Sequence, residues 1–374
     1  MRLFARARTR KAAGIAAAGV VAIAMGAVLF AGSGVYNIAA SSGHWTVVEW
    51  FLEFGMRNSV KRRAWAIEVP PLGDPDLAVL GAAHFHRACV HCHGAPGIRA
   101  DLTAQRALPP PPDLTRVSRE WEPNELFWIV KHGIKYTGMP AWVALDRDDE
   151  VWAVVAFLRK LPGLDEAAYR KLALGSEEAP QQSGRNIAEV GLVADVVGAC
   201  ARCHGADQRG PASGLVPVLH GQPREFLLGA LQSYADGTRS SGMMQPVAQE
   251  LRGDSIEKLA TYYSSLPAPA PNRPRGEKAE SAAALATAGD SAAGVPACIG
   301  CHGRTALAAY PRLAGQNASY MANRLRRWKS GLPPSSNPEA IMAPIARRLS
   351  DAQIGELSNY FASLRPGGES GRSP

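Results

Sequence analysis

Apolar positions fall into two regimes along this chain. From Ala12 to Gly43 no charged residue interrupts the sequence. The dense apolar part, Ala12 to Ala31, is long enough to span a bilayer as a helix. Further on, apolar residues recur at helical spacing. Val151, Val154, Val155, Leu158 and Leu161 mark one face of a helix that starts after Asp148-Asp149. Ile256, Leu259, Tyr262 and Leu266 mark a second such face, and Ile354, Leu357, Tyr360 and Leu364 a third. Leu77 to Arg87 and Glu277 to Ala288 also read as helices, and Asn124 is placed to cap one over residues 125–130. The pattern predicts a mainly α protein behind an N-terminal transmembrane helix.

Charge orients the apolar span. Arg2, Arg6, Arg8, Arg10 and Lys11 precede it, so five of the eight net positive charges sit in a short leader. The leader is expected to stay cytoplasmic and the remainder to be exported, as a single-pass protein of the inner membrane with its bulk in the periplasm. An uncleaved anchor is the preferred reading. Weak small-residue sites near Ala31 and Ala40 keep a cleaved signal as the alternative. Residues 44–75 follow as a juxtamembrane segment rich in Trp and Phe. It is expected either to lie on the membrane surface or to pack as a helix on the first globular unit. No basic run with interleaved aromatics occurs, which excludes nucleic acid as a partner class.

All six cysteines lie in three copies of one motif: Cys89-Val-His-Cys92-His93, Cys200-Ala-Arg-Cys203-His204 and Cys298-Ile-Gly-Cys301-His302. This is the attachment signal for c-type haem. Two thiols reach the two vinyl groups on one edge of a porphyrin, and the adjoining histidine turns under the ring to bind iron. Thioredoxin-like and zinc readings of C-x-x-C are rivals. The fixed histidine and the following glycine (Gly94, Gly205, Gly303) weigh against both. Three covalently bound haem c groups are expected.

The second and third motifs head a repeat. Pro217-x-Leu219-x-Gly221-Gln222 recurs as Pro311-x-Leu313-x-Gly315-Gln316, and Met244-x-Pro246-Val247-Ala248 recurs as Met342-x-Pro344-Ile345-Ala346. The expected organisation is leader and anchor 1–43, juxtamembrane segment 44–75, haem domains 76–166, 181–266 and 276–366, and a disordered tail 367–374. A linker at 179–184 and a Pro-rich spacer at 267–275 separate the domains. The proline run 109–112 is expected to form a stiff extended loop.

A haem bound by histidine alone keeps an open coordination position, whereas His–Met ligation suits electron transfer and raises the potential. Met244 and Met342 hold equivalent repeat positions, expected in a loop before each final helix. Met139, between Gly138 and Pro140, lies in the corresponding place of the first domain. The expected metal ligands are therefore His93 and Met139, His204 and Met244, and His302 and Met342. Met243 stays a rival to Met244. Met25, Met56 and Met321 read as packing residues. His84, His86, His91, His132 and His220 are weaker candidates for a sixth ligand.

On these motifs the sequence resembles class I cytochrome c domains, and residues 181–365 resemble the tandem domains of dihaem cytochromes of the c4 kind. The resemblance implies compact helical domains, in which one helix leads into the haem motif and a C-terminal helix crosses it. It also implies that backbone at Pro217 and Pro311 lies near the iron-binding histidine. The expected function is electron transfer from a quinol-oxidising complex or periplasmic dehydrogenase to a terminal oxidase, with these redox proteins as partners and no catalytic residues. A peroxidase-like or thiosulfate-oxidising haem enzyme, or a cytochrome subunit of a dehydrogenase complex, is the alternative. A membrane-tethered sensor would need an output domain, for which the leader is too short.

Overall fold

The structure, a computed structural model, describes residues 2–175, 194–206, 210–251, 253–271, 279–303, 307–331 and 337–366. The linker at 179–184, the spacer from residue 272 on and the tail 367–374 lie outside the described residues. Among the described residues the regular structure is helical, with isolated bridges at Ala95–Ile98 and Asp290–Val295.

Helix α1 (Arg2–Gly32) contains Ala13–Gly32, which has a mean hydropathy of 2.3 and none of its length buried. It is long and apolar enough to cross a membrane. Helix α2 (Thr46–Ala64) divides into two halves. Its C-terminal half packs on the body of the protein through buried Val60 and Ala64. Arg57 there pairs with Glu120 at 3.0 Å and lies over the Trp121 ring. Its N-terminal half leaves Val47, Trp50, Phe51 and Phe54 exposed. The C-terminal half thus packs on the first globular unit, as the second reading of this segment expected.

The first core is built from α3 (Pro75–Ala88), α4 (Pro123–His132), α5 (Asp148–Lys160) and α6 (Glu166–Leu174). Asp74 caps α3 by accepting the Asp76 N–H at 2.9 Å, and proline at the first position costs no hydrogen bond. Phe85, Val151, Val155, Phe157 and Tyr169 fill the centre. Gly81 lets α3 approach α5, because a Cβ there would come within 2.0 Å of the Ala153 carbonyl oxygen. Helix α4 is capped by Glu122 in a reciprocal box with Glu125. Asn124, expected as that cap, instead donates to the Ala64 carbonyl at 2.9 Å and pins α2.

The second core uses α7 (Ala194–His204), α8 (Arg224–Ala235), α9 (Met244–Glu250) and α10 (Ser255–Ser265), with Leu227, Leu259, Tyr262 and Tyr263 buried. The third uses α11 (Ala279–Ala288), α12 (Ala318–Lys329), α13 (Asn337–Arg348) and α14 (Asp351–Ser363), around Ile354, Leu357, Tyr360 and Phe361. Each core draws on one continuous stretch of sequence. The expected loops at Met244 and Met342 are helices: Met244 opens α9 and Met342 lies within α13. Pro246 falls in the first turn of α9, where its missing N–H is no loss. Ala248, Gln249 and Glu250 then favour helix.

Candidate haem-binding sites

The three motifs fold alike. Cys89 ends α3, and the Cys92 and His93 N–H groups bond the Cys89 carbonyl at 3.1 and 3.0 Å. Cys301 and His302 bond the Cys298 carbonyl at 3.3 and 2.9 Å, while Cys200, Cys203 and His204 form the last turn of α7. Positions i and i+3 of a helical turn share a face, so each pair of thiols can meet one edge of a flat ligand. The glycine after each histidine is sterically required. Gly94 and Gly205 have φ of 67° and 74°; at Gly303 a Cβ would sit 2.5 Å from the Ile299 carbonyl oxygen.

Each motif histidine turns Nδ1 toward a proline carbonyl. His93 meets Pro112 at 2.9 Å, His204 meets Pro217 at 3.1 Å and His302 meets Pro311 at 2.8 Å. A carbonyl only accepts, so Nδ1 carries the proton and Nε2 keeps its lone pair. That is the tautomer an iron ligand needs, oriented by its second ring nitrogen. Burial lowers the pKa of all three imidazoles, to about 4 for His204, and the proline carbonyls offset this only in part. All three are neutral at pH 7. The donor set fits covalent haem c. The backbone contacts implied at Pro217 and Pro311 are present. Pro112, read in sequence only as part of a stiff loop, has the same contact; its signal was a proline downstream of the motif, as in the other two.

The thiols argue against a thiolate centre. Burial pushes Cys89 and Cys200 up to about 12 and raises Cys203 and Cys298 as well. Reactive or metal-binding thiols shift the other way. All six cysteines are free of disulfides. Among the described residues no group of three or more His, Cys, Asp or Glu side chains is placed to hold a metal ion.

The candidate distal ligands sit on ordered backbone. The Met139 N–H donates to Thr137 Oγ1 at 3.1 Å, and its carbonyl accepts from Ile134 at 3.2 Å. Gly133 lies under this loop, where a Cβ would come within 2.6 Å of the Met139 carbonyl oxygen. Met139, Met244 and Met342 are each half-buried. Met342 is carried on α13, which a buried Arg324–Glu339 pair at 2.7 Å holds to α12. Of the weaker candidates, His86 bonds the Tyr169 hydroxyl at 2.9 Å, His84 packs against Trp142, and His220 is buried edge-on to Tyr263.

The two repeats grip each other by the same residues. Gln222 accepts the Arg312 N–H and donates to the Arg312 carbonyl, both at 2.9 Å. Gln316 accepts the Val218 N–H at 2.8 Å and donates to the Val218 carbonyl at 3.1 Å. The Arg312 and Val218 N–H groups belong to the peptides whose carbonyls orient His302 and His204. Each repeat thus fixes the peptide that aims the other's histidine. Replacing Gln222 and Gln316 together by alanine leaves four peptide groups without these partners, two buried at Val218 and two part-buried at Arg312, at about 1–3 kcal/mol for each buried one. We expect urea unfolding of the 194–366 region to split from one transition into two; a single unchanged transition would show that the glutamines contribute little.

Three paired-thiol turns, each followed by a neutral, oriented histidine, define a c-type cytochrome built on helices. The family match and the relatives agree. Residues 77–158 match the family model for cytochrome c oxidase, cbb3-type, subunit III. A thiosulfate dehydrogenase electron acceptor of Thiomonas intermedia (strain K12) is 38% identical over 173 residues, 44% of this chain and 77% of that protein. A cytochrome c4 of Thiocapsa roseopersicina is 33% identical over 175 residues, 45% of this chain and 88% of the relative. The crystal structure of reduced recombinant cytochrome c4 from Pseudomonas stutzeri aligns with a TM-score of 0.43 at 30% identity, covering 49% of this chain and all of that one. The chain belongs to the cytochrome c family, and its relatives include the cytochromes c4. Covalently bound haem c and an electron-transfer role come with that membership.

Proposed function

We propose that this protein is a membrane-anchored trihaem cytochrome that passes electrons from a periplasmic or membrane donor to an acceptor such as a terminal oxidase. The observation that carries the reading is the histidine–proline contact made at all three motifs. Haem-bearing units at 76–166, 181–266 and 276–366 would each hold one group. Cys89 and Cys92, Cys200 and Cys203, and Cys298 and Cys301 would form the thioethers. His93, His204 and His302 would bind iron on one side, with Met139, Met244 and Met342 on the other. A bound haem c supplies a one-electron Fe(III)/Fe(II) couple. The chain supplies neutral imidazoles held by proline carbonyls, soft thioethers that raise the potential, and apolar cores that exclude water. Helix α1 would tether the units beside membrane redox complexes, with the exposed aromatics of α2 at the bilayer edge.

The relatives bear on the partners. One is named as an electron acceptor of thiosulfate dehydrogenase, which favours a periplasmic sulfur-oxidising dehydrogenase as donor. The match to a cbb3-type oxidase subunit favours a terminal oxidase as acceptor. Purified from membranes in detergent, the chain should carry three porphyrin masses and be reduced rapidly when mixed with a thiosulfate-oxidising dehydrogenase and thiosulfate. A chain reduced by dithionite but not by this mixture has a different donor. A chain without added porphyrin mass ends the proposal.

A further inference from the structure

The first unit meets the second at the helix that carries the candidate ligand Met244. Glu150, in the first turn of α5, is buried with its side chain 5% exposed. Its carboxylate accepts the Ser241 hydroxyl at 2.6 Å and the Gly242 N–H at 2.7 Å. The Ser241 hydroxyl in turn accepts the Met244 N–H at 3.0 Å and the Met243 N–H at 3.3 Å. Arg147 pairs with Glu150 at 2.8 Å and donates to the Ser240 carbonyl at 3.0 Å. The far end of α9 is gripped too, by Arg87 on Glu250 at 2.5 Å.

The segments leading to and from the two candidate ligands also touch. Trp142 lies three residues after Met139, and its ring rests on Gly242, two residues before Met244. A Cβ at Gly242 would come within 2.0 Å of Trp142 Nε1, so only glycine fits. Arg327 of the third unit closes the junction by pairing with Asp146, which also accepts the Ser240 hydroxyl.

We propose that Glu150 is a positioning residue for the second unit: through Ser241 it fixes the N-terminus of α9, and so sets how Met244 reaches iron only while the first unit is docked. The chemistry is specific. A buried carboxylate orients the hydroxyl as donor, which turns the hydroxyl's lone pairs to the Met243 and Met244 N–H groups. A hydroxyl without that partner is free to rotate away. Docking and ligation are thereby one event.

The proposal rests on Met244 as the distal ligand, and the experiment separates the two. In the full-length, haem-loaded protein, Ser241→Ala and Glu150→Gln should each weaken the share of the far-red iron–methionine band that one iron contributes and lower one midpoint potential. The other two potentials should hold, and Ser241→Thr should restore the band. Hydrogen exchange at residues 240–250 should rise in the same samples. Glu150→Gln preserves volume and reads the same outcome if Ser241→Ala fails to fold. A lowered melting temperature with band and potentials unchanged would mean a merely structural contact and overturn the proposal. Met244→Ala is the control. If it removes one share of the band while Ser241→Ala and Glu150→Gln do not, the positioning role falls and the ligand stands; if it too leaves the band intact, both fall.

Discussion

Replacing Cys200 and Cys203 by alanine is expected to unfold the second unit. Its core is thin: Leu227, Leu259, Ala260, Tyr262, Tyr263 and Leu266 are buried, and Cys200 itself packs against them. A single core of this size rarely supplies more than about 3–5 kcal/mol. In the proposed holoprotein two thioethers would hold a large apolar ring inside that core at high effective concentration. Without them the ring can leave, and helices of 11 and 12 residues such as α7 and α8 are marginal alone. The effect should spread. The peptide at 217–218 is held from both sides, by His204 and by Gln316, so the third unit loses its partner face as well. Limited proteolysis should cut the variant within 194–266 and leave residues 76–166 intact, with helical circular dichroism reduced to match. A compact, protease-resistant variant would show that the polypeptide alone specifies this unit.

Much of the site was legible because its chemistry is local. A haem edge fixes the spacing of two thiols and a histidine, and three short motifs record it. The helices were legible where one face is apolar, as in α5, α10 and α14. Proline misled twice. The methionine blocks holding Pro246 and Pro344 were expected as loops; Pro246 stands in the first turn of α9, which is compatible with helix, Pro344 lies inside α13, and the structure places Met244 and Met342 on helices. At Pro112 it read only as part of a stiff extended loop, and its carbonyl orients His93. Helix α6 was missed although its signals are present: Asp165 caps it by accepting the Ala168 N–H at 2.7 Å, and Gly175 ends it at φ 77°. Glu150 had no signal of its own. In sequence it is one of three acidic residues that suit a helix N-terminus. Only the packing of the second unit against α5 distinguishes it from Asp148, which pairs with Lys131.

Substituting the candidate distal methionines should have the second large effect, and the pattern of silence is as informative as the pattern of loss. Met342→Ala and Met139→Ala are each expected to lower one midpoint potential by a few tenths of a volt, within the roughly 0.8 V that axial ligation commands. Each should also remove one iron's share of the far-red band and convert that iron to a high-spin form. The folds should survive. Met139 is held by Thr137, Ile134 and Gly133 through backbone, and α13 by the Arg324–Glu339 pair, so neither scaffold depends on the thioether. Met243→Leu should be silent. Its counterpart in the third unit is Ile341, 51% exposed, a position with no call for sulfur. Redox titration with optical detection measures all three outcomes. A potential that moves with Met243 rather than Met244 would reassign the ligand of the second iron. Potentials that move with none of them would leave the irons open or held by another side chain, and would favour the haem-enzyme reading over the carrier.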